Sequence, residues 1–149
     1  MVQPQTLQKY SIFGGLDEEQ INNILPLLQQ DKYGPDELII AEGKPNDKIY
    51  FIIEGQVSVT KRKIQITRFG EGEAFGEMEV LDLMPAIASI KTLSPVTVLS
   101  LSNKTLREIY KIDIKAFSLM IMNHARDLSR RLRKMDERLA STSMEPFLL

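Results

Sequence analysis

The sequence predicts a mainly β protein with flanking helices: an antiparallel barrel, sandwich or roll followed by one long helix. Two observations predict this. From about residue 32 to Leu101, short runs of Ile, Val, Phe and Tyr alternate with Gly, Pro, Asn and Asp, and the connections are too short for parallel crossovers. After Leu101 the apolar residues return at helical spacing, and neither Gly nor Pro interrupts them up to Leu139.

The chain has 149 residues, the size of one domain with one core. No apolar run is long enough to span a bilayer. The N-terminus MVQPQTLQKY lacks the charged-then-apolar pattern of a secretory signal, so a cytoplasmic setting is expected. Absence of cysteine excludes disulfides, thiolate zinc sites and cysteine nucleophiles together.

The first predicted element is a helix. Asp17 with Gln20 three residues on reads as a capping box. Leu16, Ile21, Ile24, Leu25 and Leu28 follow as its apolar stripe, Pro26 disturbs its end, and Phe13 anchors the approach to it. Strands are then expected at Leu38–Ile40, Ile49–Ile53, Val57–Thr60, Ile64–Thr67, Ala88–Lys91 and Val96–Leu101. Gly34-Pro35, Gly43 to Asp47, Glu54-Gly55, Gly70 to Gly72 and Ser94-Pro95 supply the turns between them. Ser102 or Asn103 caps a short helix through Ile112, and Asp113 caps the long one, expected to run to about Leu139. Ser141 to Leu149 reads as a frayed tail or a stub.

The most specific stretch is Phe75-Gly76-Glu77-Met78-Glu79-Val80-Leu81, followed by Pro85-Ala86-Ile87-Ala88-Ser89. It resembles the phosphate-binding cassette of the cyclic-nucleotide-binding domain family, and other stretches agree with it. Tyr33-Gly34-Pro35 leads into Leu38-Ile39, and Glu42-Gly43-Lys44-Pro45, Asp47, Tyr50 to Ile53 and Gly55 fall in the family's order. The match covers residues 11–140. It implies an eight-stranded antiparallel β-roll, jelly-roll-like, with N-terminal helices and a C-terminal dimerisation helix. Residues 1–112 would be the roll, 113–140 the dimerisation helix and 141–149 the tail.

The resemblance also implies a ligand, cAMP or cGMP, and its contacts. A turn at Gly76 lets backbone N–H groups approach a phosphate, and the short helix after it aims its positive end at the anion. Glu77 would accept a hydrogen bond from the ribose 2′-hydroxyl, and Ser89 would offer a hydroxyl. Phe75, Met78, Ala86, Ile87 and Ala88 complete the expected lining. The pattern departs where the family places its arginine: that position is Ala86, the next small residue is Ile87, and Glu79 replaces a small alanine. Loss of such a cation costs on the order of 3–5 kcal/mol, about a thousandfold in affinity. Arg130 and Arg131 lie at the level of the long helix that meets the base, so one of them is a candidate substitute. Lys61, Arg62, Lys63 and Arg68 are expected to face water.

In that helix Ile121, Ala125, Leu128, Leu132, Met135 and Leu139 are spaced 4, 3, 4, 3 and 4 apart. This heptad seam predicts a homodimer. Asp127 with Arg131 and Arg133 with Glu137 are spaced for contacts one turn apart.

Residues 1–103 carry 9 Lys/Arg against 14 Asp/Glu, and residues 104–138 carry 10 against 5. The acidic body and basic helix are either solvated surface or fields for a partner. Only ten residues follow Leu139, too few for a helix-turn-helix, so no DNA binding and no membrane partner are expected. The single histidine, His124, is expected to pack at the seam edge or be solvated. With one His and no Cys, metal, Cys–His and Ser–His chemistry have no basis. Paired acids Glu71/Glu73 and Glu77/Glu79 belong to a turn and the cassette, so no catalytic residue is assigned. Two readings stay open: a regulatory domain sensing a cyclic nucleotide or related small phosphorylated ligand, and a degenerate relative that only dimerises or docks.

Overall fold

Alternating side chains give each strand one face to bury, and here two four-stranded antiparallel sheets bury those faces against each other. The computed structural model describes residues 2–142. Strands β1 (Gln29–Tyr33), β8 (Val96–Ser102), β3 (Lys48–Glu54) and β6 (Ala74–Phe75) lie in that order in one sheet. Strands β2 (Leu38–Ile40), β7 (Ser89–Thr92), β4 (Val57–Lys61) and β5 (Ile64–Phe69) form the other. This is the expected β-roll. The alternation did not reveal β1, a polar edge strand, or the two-residue β6. At the β3–β4 turn Gly55 has φ 93°, and a Cβ there would lie 2.2 Å from the Pro95 carbonyl oxygen.

Two apolar clusters result. Inside the roll Ile52, Val57, Phe75, Val96 and Val98 pack together. Beneath the helices Leu7, Phe13, Ile21, Phe51, Leu101, Ile109 and Met120 form the second. Phe13 is fully buried with its ring 5.2 Å from that of Phe51, the anchoring its position suggests.

The helices begin where the polar caps place them. A short α1 (Pro4–Leu7) and a 3-10 turn (Ser11–Phe13) precede α2 (Glu18–Ile24). In the capping box Asp17 accepts from the Gln20 N–H at 2.8 Å, and the Gln20 side chain accepts from the Asp17 N–H at 3.0 Å. Pro26 turns the end of α2 into a 3-10 turn, Leu25–Leu27. A six-residue α3 (Glu77–Asp82) follows β6. Ser102 accepts from the Thr105 N–H at the start of α4 (Asn103–Ile112). Asp113 does the same for Ala116 at the start of α5 (Ile114–Thr142). Helix α5 therefore continues past Leu139 and includes Ser141 and Thr142, where a tail was expected. The rest of that stretch, 143–149, lies outside the described residues.

Among the described residues no helix is long and apolar enough to cross a membrane.

Candidate functional site

The cassette is built at a forced turn. Gly76 ends β6 at φ 87° and starts α3, and a Cβ there would lie 2.5 Å from the Lys48 carbonyl oxygen. Only glycine adopts this backbone without strain or collision. The Asn46 side chain braces the turn, donating to the carbonyls of Gly76 at 3.2 Å and Lys48 at 2.9 Å. Phe75 beside it is buried and stacks on Tyr50 at 5.0 Å.

This turn opens on a cavity of about 510 Å³, counted with the solvent at its mouth. Its walls are Ile40 and Val59 of the strands, Phe69, Phe75 and Ile90 beside them, and the cassette itself. The wall strands were missed as site residues, since their inward side chains follow from register alone.

Glu77 is 5% exposed although ionisable. Its Oε1 accepts from Arg131 Nη1 in a salt bridge that joins α3 to α5, 54 residues on. Its Oε2 has no partner. A buried carboxylate is stable only when compensated by a cation or several donors. Burial lowers the Arg131 pKa and Glu73 raises it, and a guanidinium stays charged at neutral pH. The expected Asp127–Arg131 contact is not formed. Asp127 pairs with Arg130 one turn away at 2.9 Å, because Arg131 turns toward the buried, poorly solvated Glu77.

Gly76, Glu77, Met78, Ile87, Ala88 and Phe75 thus meet Arg131 around one cavity. Arg130 stays outside, paired with Asp127 and largely exposed. Ala86 is buried behind the wall. Its N–H donates to the Lys44 carbonyl at 2.9 Å, and its carbonyl accepts from Gly43 at 2.8 Å. Ser89 is turned to the β2 edge, where its hydroxyl oxygen accepts from the Glu42 N–H at 2.9 Å. Glu79 is buried on the cavity wall, and burial pushes its pKa up. Lys61, Arg62, Lys63 and Arg68 are exposed, as expected.

Along α5, Ile121 and Leu128 are half-buried, and Ala125, Leu132, Met135 and Leu139 are exposed. Leu128, Leu132 and Met135 share an apolar groove with Met78 and Leu81 of α3. His124 is buried at the edge of this stripe, one turn of the helix before Leu128, so it packs at the seam edge and is not solvated.

A roll with this cassette and a long C-terminal helix is the frame of a cyclic-nucleotide-binding regulatory domain. The sequence pattern described as the cyclic nucleotide-binding domain matches residues 30–113, more than half of the chain. The chain belongs to that family. It is 33% identical over 98 residues to the cAMP-dependent protein kinase regulatory subunit of Yarrowia lipolytica, covering 66% of this chain and 26% of that protein. It is 29% identical over 141 residues to the CRP-like cAMP-activated global transcriptional regulator of Mycobacterium tuberculosis, covering 91% of this chain and 61% of that protein. Among solved structures, a cyclic nucleotide-binding domain from Methylobacillus flagellatus KT superposes with a TM-score of 0.82 at 25% identity, over 93% of this chain and 80% of that one. The Thermus thermophilus catabolite activator protein gives a TM-score of 0.79 at 26% identity, over 89% and 63%. The chain thus spans about a quarter and about three fifths of the two curated relatives, both regulatory proteins by name.

Proposed function

We propose that this chain is a regulatory ligand-sensing domain. It takes a cyclic nucleotide, cAMP or cGMP, or a related small phosphorylated ligand into the cassette cavity and signals through a homodimer formed by α5. In this division residues 1–112 are the roll that carries the cassette, and residues 113–140 form the dimerisation helix, which also brings Arg131 to the cavity. The setting is cytoplasmic, and the role is neither enzymatic nor DNA-reading.

The observation that carries this reading is the Arg131–Glu77 salt bridge. Glu77 stands where the ribose hydroxyl is received, and Arg131 is the cation at the cavity that lacks a cassette arginine. A ribose hydroxyl entering the cavity satisfies Glu77 in place of the guanidinium. The released Arg131 meets the phosphate through charge-assisted hydrogen bonds. Ligand occupancy therefore exchanges a contact between α3 and α5 for one between the ligand and α5, and the helix registers the change.

The degenerate reading has its own support: Ala86 is packed into the roll behind the wall, and Glu79 adds an acid at the expected phosphate end. Thermal unfolding with and without cAMP and cGMP separates the two. At a hundredfold excess over the dissociation constant a bound ligand adds about 2.7 kcal/mol of stability. An unchanged melting temperature with both ligands at millimolar concentration contradicts the sensing role.

A further inference from the structure

Among the described residues, two buried side-chain polar atoms lack a hydrogen-bond partner: Glu77 Oε2 and His124 Nε2. Both residues line one cavity of about 430 Å³, counted with the solvent at its mouth. It lies behind the cassette, between the 3-10 turn at Ser11, strands β3 and β6, and α5. An orphaned buried polar group costs about 1–3 kcal/mol, so two that share one space call for a common explanation.

We propose that His124 is a positioning residue for Glu77, sharing its second oxygen through a water-sized guest, and that a proton on His124 competes with ligand for that carboxylate. The ligand half of this inference rests on the sensing role above, and the proton half does not.

The surroundings leave Glu77 as the carboxylate open to His124. From α5, Asp127 also faces the cavity, but its two oxygens are taken by the Ser11 hydroxyl and by Arg130. Arg131, also on α5, holds Glu77 Oε1. From the N-terminal segment come Ser11 and Tyr10, whose hydroxyl donates to the Ile52 carbonyl at 2.5 Å and whose pKa is pushed up to about 12 by burial. The strands contribute Ile49, Phe51 and Ala74, all apolar. Glu71 and Glu73, between β5 and β6, act on Tyr10 and Arg131 respectively.

Burial holds the His124 pKa below its ordinary 6.5, with Asp127 opposing. The imidazole is neutral at pH 7.5, and its Nε2 reaches Glu77 through the guest. Below that range the imidazolium pairs with Glu77 as an ion, and the carboxylate is less available to a ligand hydroxyl. By linkage the ligand disfavours the proton by the same factor.

The chain has one histidine, so a proton NMR titration of the imidazole Cε1–H reads this site alone. The inference predicts that Glu77→Gln lowers the midpoint by about 1 pH unit. Arg131→Gln, which removes a competing cation at a half-exposed position, raises it. This second variant decides the matter where Glu77→Gln does not fold. Midpoints unmoved in both variants overturn the inference. In the ligand arm, titration with cAMP should give weaker binding at pH 5.5 than at pH 7.5 in the wild type and no such change in His124→Gln. The same pH dependence in both proteins overturns the competition. No cAMP binding at either pH contradicts the ligand half, while the NMR midpoints still decide the coupling of His124 to Glu77.

Discussion

Glu79 is a buried acid on the cassette helix, where the family pattern has a small residue. Burial raises its pKa above the ordinary 4.5, and the Asn46 side chain opposes this by hydrogen bonding. For an acid whose pKa is higher folded than unfolded, the folded state holds the proton longer, so stability is lost as pH rises through the range above 4.5. Glu79→Gln is therefore expected to be more stable at pH 7, by about 1 kcal/mol or roughly 3 °C in Tm, and no more stable at pH 4. Melting curves at the two pH values check it. Gly76 is the opposite case. Its positive φ and the 2.5 Å approach to the Lys48 carbonyl leave no room for a Cβ, so Gly76→Ala should cost about 2–4 kcal/mol in urea unfolding. A loss under 0.5 kcal/mol, the size of an ordinary surface change, would mean that the turn relaxes freely.

Gly76 was legible because its turn is a local feature of the backbone, and Glu77 only because the stretch around it resembles the family's cassette. Ile40, Val59 and Phe69 were not, because strand register decides which alternating side chains face the cavity. Arg130 and Arg131 could not be told apart by level along the helix. They differ by 100° around it, and what decides between them is that Arg131 lies seven residues after His124, on the buried face.

Helix α5 carries two stripes. Ala116, Met120 and His124 are buried against the rest of the fold, and Arg131 continues that face toward Glu77. Ile121, Ala125, Leu128, Leu132, Met135 and Leu139 form the second, and its last three members are each more than half exposed. The heptad was legible because seam spacing is a property of one helix. The inward stripe was not, since it needs the N-terminal segment as its partner: Asn123 donates to the Gly14 carbonyl at 2.8 Å and the Ile12 carbonyl at 3.2 Å. The second stripe predicts a dimer. Leu128→Asp combined with Leu132→Asp should give a monomer in sedimentation equilibrium, with the fold retained by circular dichroism. A wild type that is monomeric at high micromolar concentration contradicts the seam.

Over the whole molecule, an acidic roll is joined to a basic helix, and the salt bridge of Arg131 with the buried Glu77 ties the helix to the cassette. The family's usual arrangement places the phosphate cation and the ribose acceptor on the same cassette. Here Ala86 removes the cation from the cassette, and α5 brings one back.

Calorimetric titration of the wild type and Arg131→Gln with cAMP and cGMP, at pH 7.5, tests the central claim directly. If Arg131 is the phosphate cation, at least one of the two nucleotides binds the wild type, and the variant loses about tenfold to a hundredfold in affinity, the size expected when a charge-assisted contact from a half-exposed side chain is removed. Binding of equal strength in both proteins, or none in the wild type, would contradict the account.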